Sequence, residues 1–356
     1  MTPATTARPG TPGDLLAVVS QTGPTVTFFD ATTHERLDVL TVPPQPHELC
    51  FDPDRRLLYC ASTYQSGFYH ANTGRSHEIT VIDVDTRTIV ATLDISPDHA
   101  PHGLALDRER ARLYISVEAT DTEPGGVLVL DSRTHARLGR IPTMAPGPHW
   151  FALTPDGRHG YTTNKEAPFV SVVDLDRGVC TDRIPVPGSE GLSVAPDGRH
   201  LYVAAPKADF TTPPTAPTGV RVIDTATHDI VRVLPTEGVI MPVHATATGM
   251  LLVGELRPDT SPGGPLGSQL PGVLTVFAPE TLAPLGQVQV GEFPLTITSS
   301  PDGRFGYVSG NLSSTVTVVD LTTLQAVTTL EVDRTDISGA HGLAYIESPA
   351  QLPPHN

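Results

Sequence analysis

The sequence predicts an all-β protein, a seven-bladed β-propeller of four-stranded antiparallel blades. Three observations favour this fold. An apolar, β-branched phrase that ends in a polar turn occurs seven times, at intervals of 42 to 54 residues. A second phrase, with a tight turn at its centre, lies upstream of several of these copies. The two ends of the chain supply complementary strands of one blade.

The first phrase has the composition of strand C of a blade. Its copies are rich in Val, Ile, Thr and Phe, and most close on an Asp whose carboxylate can accept hydrogen bonds from the backbone that follows it. Such a phrase predicts a strand followed by a tight C–D turn. The seven copies close at Asp30, Asp83, Asp131, Asp174, Asp224, Ala278 and Asp320.

The second phrase predicts strands A and B and the turn between them. Pro and Gly at fixed places in a Pro-Asp-Gly-Arg segment are typical of a tight hairpin turn. Clear copies are LTPDGRHGYTT (153–163), VAPDGRHLYVA (194–204) and SSPDGRFGYVS (299–309), and degenerate copies are FDPDRRLLYCA (51–61) and LDRERARLYIS (106–116). Runs such as RTIVATLDI and HDIVRVL supply strand D.

The chain ends predict how the ring closes. The N-terminal segments DLLAVVS, TVTFFDA and ERLDVLTV read as strands B, C and D, and HGLAYIE at 341–347 reads as an unpartnered strand A. Together they complete a seventh blade, which leaves the ring without a free sheet edge. We therefore expect a single propeller domain over residues 14–347, a disordered N-terminal tail at 1–13 and a C-terminal tail at 348–356.

These phrases carry a family resemblance. The combination of PDG(R)-x-x-YV and VxVID-T resembles the YVTN/YncE-type seven-bladed propellers, a group that also takes in lactonase-like propellers and the N-terminal propeller of nitrous oxide reductase. The resemblance extends over about residues 14–347. It implies the fold and leaves the activity open, because the matching residues belong to turns and packing.

Composition limits the classes of partner. The chain carries a formal net charge of -16 and has a pI near 5.2. These values argue against nucleic acid or an anionic membrane as partners, since both need clustered Lys and Arg. No apolar run reaches the ~18–20 residues of a membrane-spanning helix, and the first residues do not resemble a signal peptide. We expect a cytoplasmic protein with reduced thiols at Cys50, Cys60 and Cys180; its oligomeric state stays open.

A ring of histidines is the main functional signal. Aligning the blades at the start of strand A brings one residue from each into register: His47, His102, His149, Glu190, His244, Leu295 and His341. Neutral imidazoles that converge on one axis suit a single divalent transition metal ion, with Fe or Cu favoured and Zn as an alternative. The other interpretation is that these histidines cap the channel through hydrogen bonds to one another, to backbone or to water.

Two carboxylates are candidates for catalysis beside this ring. Glu190 could act as a further ligand or accept the N–H of a ligating imidazole, and Glu48, next to His47, is a weaker candidate for the second role. The alternative for Glu48 is a solvated carboxylate or one that bonds a turn.

Long loops on the same face indicate where a small-molecule substrate would bind. The B–C connections at 62–78, 117–126, 205–219 and 255–272 are long, whereas the A–B and C–D turns are tight. Both lysines of the chain fall in B–C loops of this face, where they could attract an anionic substrate; solvated rim charges are the simpler interpretation. Trp150 is either blade core or a pocket wall. The candidate substrate-binding residues are Tyr64, Phe68, Tyr69, Trp150, Lys165 and Lys207.

Three functions remain open at this point. The sequence has no nucleophile elbow, phosphate-binding loop, dinucleotide fingerprint or HExxH motif, so any chemistry must come from the channel mouth. The favoured function is a mononuclear metalloenzyme with oxidoreductase or oxygenase chemistry. A metal-assisted lyase, isomerase or lactonase-type hydrolase is the first alternative. A non-catalytic propeller that binds a protein or ligand on this face is the second.

Overall fold

The described part of the chain is an all-β ring of sheets. The computed structural model describes residues 13–67, 71–206, 216–259 and 268–349. These residues form 28 strands in seven four-stranded sheets, so the predicted seven-bladed propeller is confirmed. No helix within the described ranges has the length and hydropathy that a bilayer span requires.

The blades are numbered 1 to 7 in chain order, and each has strands A to D. Blade 1 contains β4 (Pro46–Asp52), β5 (Leu57–Tyr64), β6 (Arg75–Asp83) and β7 (Thr88–Asp94). Blade 2 contains β8 (Leu104–Asp107), β9 (Arg112–Val117), β10 (Gly126–Asp131) and β11 (Arg137–Pro142). Blade 3 contains β12 (Pro148–Leu153), β13 (His159–Asn164), β14 (Phe169–Asp174) and β15 (Val179–Pro185).

The remaining blades repeat this order. Blade 4 contains β16 (Leu192–Val194), β17 (His200–Ala205), β18 (Gly219–Asp224) and β19 (Ile230–Pro235). Blade 5 contains β20 (Ile240–Ala245), β21 (Leu251–Pro258), β22 (Gln269–Phe277) and β23 (Pro284–Glu292). Blade 6 contains β24 (Pro294–Ser299), β25 (Phe305–Gly310), β26 (Thr315–Asp320) and β27 (Gln325–Glu331). Blade 7 contains β28 (Ala340–Ile346), β1 (Leu15–Ser20), β2 (Thr25–Asp30) and β3 (Arg36–Thr41).

Blade 7 closes the ring as the sequence predicts. Its sheet order is β28-β1-β2-β3, so strand A comes from the end of the chain and strands B to D from its beginning. The antiparallel ladder between β28 and β1 pairs Leu15 with Ile346 and Val18 with Leu343. The predicted tails at 1–13 and 348–356 lie largely outside the described residues.

The repeated turn phrases form the turns expected of them. In the A–B turns of blades 3, 4 and 6 the glycine has a positive φ, at Gly157, Gly198 and Gly303. Glycine occupies this left-handed region without the steric cost that a Cβ would bring. In the C–D turns the Asp accepts backbone N–H groups two and three residues on, as Asp224 Oδ1 does from Ala226 and Thr227.

The core lies between adjacent sheets. One buried cluster joins Leu15 and Phe28 of blade 7 to Leu58 and Ile82 of blade 1, and similar clusters join the other neighbouring blades. Strands A of successive blades contact one another around the central channel, whereas strands D are largely exposed. This packing brings the starts of the A strands and the B–C connections to the same end of the ring.

Candidate metal centre

The starts of the seven A strands place one buried residue each around the channel. We call the buried residue at the start of each strand A the ring residue. In blades 1, 3 and 7 the residue just before it pairs with one of the last residues of strand B, as Pro46 does with Ser62 and Pro148 with Asn164. The same register identifies the ring residue of each other blade. The ring residues are His47, His102, His149, Glu190, Met241, Leu295 and His341, and all are buried.

His244 does not occupy the ring position, so its predicted alignment is wrong. In blade 5 Ile240 pairs with Glu255 in the way that Pro46 pairs with Ser62, which puts Met241 in the ring. His244 lies three residues further along the strand, where its Nε2 is 2.9 Å from the Ser299 hydroxyl of blade 6. Burial lowers its pKa to about 4. It is therefore a packing residue between two blades.

The other four histidines converge as predicted. The imidazole centroids of His102 and His149 are 3.9 Å apart, those of His47 and His341 are 4.7 Å apart, and those of His47 and His102 are 5.3 Å apart. Ligand nitrogens of His47, His102 and His341 all lie within 4.8 Å of one another. These three residues form the His triad, to which His149 is adjacent.

Hydrogen bonding leaves ring nitrogens of the triad available as ligands. His47 Nδ1 is 2.7 Å from the Gln45 carbonyl, which can only accept, so Nδ1 carries the proton and Nε2 keeps its lone pair. Such an outer hydrogen bond is typical of ligating imidazoles. His102 Nδ1 is buried and has no hydrogen-bond partner among the described residues. A buried polar atom without a partner needs an explanation, and a bound ion provides one.

Burial keeps the imidazoles neutral, the state in which they bind metals. It is the main cause that lowers the pKa of His47 well below the usual range, and the neighbouring His341 adds to it. The pKa of His102 is lowered in the same way, by burial and then by His149. Burial lowers the pKa of His341 to about 3. An imidazole with a depressed pKa is unprotonated at pH 7 and can donate a lone pair.

Each predicted carboxylate lies beside a histidine of the neighbouring blade. Glu190 Oε2 is 3.2 Å from His149 Nδ1, and Glu48 Oε1 is 3.2 Å from His341 Nδ1. Burial raises the pKa of Glu48 well above the usual range. Both carboxylates are buried next to imidazoles, so Glu48 is not a solvated carboxylate. The suggested roles, a further ligand or outer partner for Glu190 and an outer partner for Glu48, stay predictions.

Glycines next to the ring explain how the A strands approach so closely. Three ring residues are followed by glycine, at Gly103, Gly191 and Gly342. A Cβ on Gly342 would lie 2.2 Å from the His47 carbonyl oxygen, and one on Gly191 would lie 2.3 Å from that of Met241. Since real Cβ atoms do not make such contacts, only glycine permits this spacing between neighbouring A strands.

A second polar group lies beside the triad. Lys165 Nζ donates to the Tyr64 hydroxyl at 2.8 Å and to Glu118 Oε1 at 3.0 Å. Tyr64 donates to the same Glu118 oxygen at 2.8 Å, and Arg75 Nε donates to Glu118 Oε2 at 2.6 Å. The Tyr64 ring meets the His47 ring edge-on with centroids 5.9 Å apart. These four residues, Tyr64, Arg75, Glu118 and Lys165, are called the Lys165 group below.

The position of Lys165 corrects its interpretation as a solvated rim charge. Only 6% of the surface of Lys165 is exposed to solvent. Burial lowers its pKa, and Glu118 partly offsets this. Burial opposes ionisation of Glu118, but Lys165 and the hydrogen bonds from its neighbours outweigh it and lower the pKa of Glu118 to about 2. The Lys165 charge also contributes to the lowered pKa values of His47 and His102.

A cavity of about 510 Å³ opens beside the Lys165 group over blade 1. Tyr64 and Arg75 form part of its wall, together with polar residues that include His77, Glu78 and Asp94. Tyr64 therefore contributes both to this cavity and to the ring contact with His47.

The remaining predicted residues have mixed outcomes. The Trp150 side chain packs against the core between blades 3 and 4, and it also meets the His102 and His149 rings edge-on, with centroids 5.5 and 5.8 Å away. It is thus blade core, and its role as a pocket wall stays a prediction. The candidates Phe68, Tyr69 and Lys207 lie outside the described residues. Sequence reasoning missed Arg75, whose only signal was its place at the end of a long B–C loop.

Comparison with known proteins gives structural neighbours only. No protein-family model and no curated protein matches the sequence. A chain of Kuenenia stuttgartiensis hydrazine synthase matches with a TM-score of 0.66 and 18% identity, covering 90% of this chain and 99% of that one. A functionally unknown protein from Desulfotomaculum acetoxidans matches with a TM-score of 0.69 and 12% identity, covering 94% and 99%.

A third neighbour is longer than this chain. It is the dihydro-heme d1 dehydrogenase NirN in complex with DHE, which matches with a TM-score of 0.57 and 18% identity and covers 95% of this chain and 68% of that one. At such identities these likenesses show a common propeller fold.

Proposed function

We propose that this propeller is a metal-dependent enzyme whose His triad holds one divalent transition metal ion at the channel mouth. Its favoured chemistry is oxidoreduction of a small molecule. The observation that carries the proposal is the approach of three buried imidazoles, with ligand nitrogens of His47, His102 and His341 within 4.8 Å of one another. Three neutral imidazoles from three blades match the donor set that Fe, Cu and Zn favour.

The triad must contract to bind an ion. Three nitrogens that are each ~2.1 Å from one ion lie roughly 3.4–3.6 Å apart. From separations of up to 4.8 Å, a contraction of up to about 1.4 Å brings the triad to bonding distance. The bond of His47 to Gln45 would hold that imidazole in orientation, and Glu48 lies 3.2 Å from His341.

Each neighbouring side chain has a role in this proposal. A His-bound Fe or Cu ion supplies redox chemistry or polarises a substrate oxygen when it is bound. His149, beside His102 and 3.2 Å from Glu190, is placed to hold a proton for a substrate in the channel. The ammonium of Lys165 supplies positive charge to the same space, and Trp150 contributes a wall.

The structural neighbours agree with an enzymatic role without defining it. Two of them are named as enzymes, a hydrazine synthase and a dehydrogenase. Only the dehydrogenase is named for a redox reaction. At 18% identity these likenesses extend to the fold, so the preference for oxidoreduction rests on the imidazole donor set.

Metal analysis of the purified protein tests the proposal. We expect protein prepared without chelator, or reloaded with Fe(II), Cu(II) or Zn(II), to contain about one ion per chain, and a His102→Ala variant to retain less than a tenth of it, because the loss removes one of three ligands. The measurement is elemental analysis by mass spectrometry after gel filtration.

His244→Ala is the matched control, since it removes a partly buried histidine outside the ring. It should keep the metal content of the parent, and a His102→Gln variant with an unchanged melting curve separates ligand loss from misfolding. Metal-free protein after all three reloadings, or full metal content in both His102 variants, contradicts the proposal and leaves the non-catalytic propeller as the better description.

A further inference from the structure

The channel mouth has two sides of different chemistry. Five successive ring positions, from blade 7 through blade 4, carry the four histidines and Glu190. The other two, in the adjacent blades 5 and 6, carry Met241 and Leu295. Both pack in one buried apolar cluster with Leu256, and Phe293 packs against it. These four residues, Met241, Leu256, Phe293 and Leu295, are called the apolar arc.

The two sides of the channel mouth also differ near the ends of the B strands, where Leu256 corresponds to Lys165. The Leu256 N–H donates at 2.8 Å to the carbonyl of Val239, which lies two residues before the ring residue Met241. The Lys165 backbone N–H donates at 2.9 Å to the carbonyl of Gly147, which lies two residues before the ring residue His149. The two residues therefore occupy equivalent positions near the end of strand B. Blade 3 presents an ammonium where blade 5 presents an isobutyl group.

Both sides of the ring are buried, and the ring residues of the apolar arc are slightly more exposed than those of the polar side. Met241 and Leu295 keep 7% and 8% of their surfaces exposed. The five polar members keep between 2% and 5%. Apolar side chains that face a channel gain free energy when a ligand covers them. A polar ligand would gain nothing from this side and would lose hydration there.

We infer that the ligand of this site is a small organic acid with an apolar body, which lies against the apolar arc while its anionic head faces the His triad and Lys165. The inference rests on the proposed function, since the proposed cation adds to the positive charge that favours an anion. Glu118 is shared by two cations, Arg75 and Lys165, so the Lys165 group carries a net positive charge.

A series of straight-chain carboxylates tests the inference. Acetate, butyrate, hexanoate and octanoate have the same head and differ only in apolar length. Affinity should rise about fourfold for each methylene that the apolar arc covers. Trp150 is the only tryptophan of the chain and lies beside the imidazoles, so its fluorescence reports binding in both metal-free and metal-loaded protein. Equal affinities for acetate and octanoate overturn the inference.

Two single variants locate the effect. Met241→Gln and Leu295→Asn keep approximate size but make the arc polar, so each should reduce octanoate affinity at least tenfold while acetate affinity and metal content stay those of the parent. Leu138→Gln, at a side chain that is 53% exposed on strand D of blade 2, is the control and should change neither. Melting curves identify any variant that is not folded.

The outcomes separate this inference from the proposed function. If the parent protein binds no metal but its affinity for carboxylates still rises with chain length, and both arc variants abolish this rise, the result supports the apolar arc and contradicts the metal site. Normal metal content with no chain-length dependence, or a dependence that neither variant alters, supports the metal site and overturns the inference.

Discussion

Glu118 is the carboxylate that pairs with the two cations beside the His triad, Arg75 and Lys165. It accepts hydrogen bonds from Tyr64, Arg75 and Lys165, and it is largely buried. Lys165 is also buried, so its ammonium would lose the carboxylate that it bonds at 3.0 Å if Glu118 became neutral. Removal of one member of a buried ion pair is costly because the remaining charge stays desolvated.

We therefore predict that Glu118→Gln lowers the free energy of unfolding by about 3 kcal/mol at pH 7. The pKa of Glu118 is lowered from 4.5 to about 2 in the folded protein. A group with a depressed folded pKa stabilises the protein above its unfolded pKa and loses this effect as the pH falls. The difference between parent and variant should be constant above pH 5 and shrink from pH 4.5 downward, as measured by urea unfolding.

Glu123→Gln is the matched control for this prediction. Glu123 pairs with Arg140 at 3.2 Å, but its side chain is 58% exposed, so its loss should cost less than about 1 kcal/mol. An equal effect of both substitutions, or a difference for Glu118→Gln that does not depend on pH, would show that burial does not strengthen the Glu118 pair.

At the scale of elements, the spacing of the A strands depends on glycines that follow ring residues. A Cβ at Gly342 would meet the backbone carbonyl oxygen of His47 at 2.2 Å. A backbone oxygen cannot move aside as the end of a flexible side chain can. We predict that Gly342→Ala forces blades 7 and 1 apart, lowers stability by about 2 kcal/mol and reduces metal content, because His341 and His47 lie on the two strands. Thermal melting and elemental analysis measure the two effects.

Gly139→Ala is the control for this substitution. Gly139 lies in strand β11, and a Cβ there would meet no atom within 4 Å. Its replacement should leave the melting temperature the same or slightly higher, since glycine weakens a strand interior. If Gly342→Ala behaves like Gly139→Ala, the close approach of the A strands is not needed.

The register of strand A in blade 5 shows where sequence reasoning succeeded and failed. The Pro-Asp-Gly-Arg turns fixed the register in blades 3, 4 and 6, whose ring residues stand eight positions before the turn glycines Gly157, Gly198 and Gly303. Blade 5 has Thr-Ala-Thr-Gly instead, and the alignment followed the nearest histidine. The turn glycine there is Gly249, which also has a positive φ, and eight positions before it stands Met241.

At the scale of the whole molecule, the ring is closed by hydrogen bonds between the two ends of the chain. Strand β28 is strand A of blade 7, and it carries the ring residue His341. We predict that a chain ending at residue 339 unfolds without a cooperative transition near that of the parent, because it exposes the edge of β1 and the cores on both sides of it. Circular dichroism during heating measures this.

Removal of residues 350–356 alone is the control for the truncation. This shorter deletion leaves β28 intact and should preserve the parent melting temperature within about 2 °C, which corresponds to less than about 1 kcal/mol. A chain ending at 339 that melts like the parent would falsify the account of closure given above.

The whole ring also decides which residues of the site the sequence could predict. Repetition made the histidines visible, because each blade places one residue at the same point. The Lys165 group has no such signal, since Tyr64, Glu118 and Lys165 lie at or just after the ends of B strands in three different blades and meet only when the ring is assembled. Their burial and pairing therefore follow from tertiary structure and not from any local pattern.

The antiparallel ladder of blade 7 has a mechanical consequence. Leu15 and Ile346 face each other at one end of it, so both ends of the propeller leave the sheet at the same point. A force that pulls the ends apart would load the hydrogen bonds between β1 and β28 one pair at a time, as a zip opens. Tension applied through the termini would thus release the strand that carries His341 before any other.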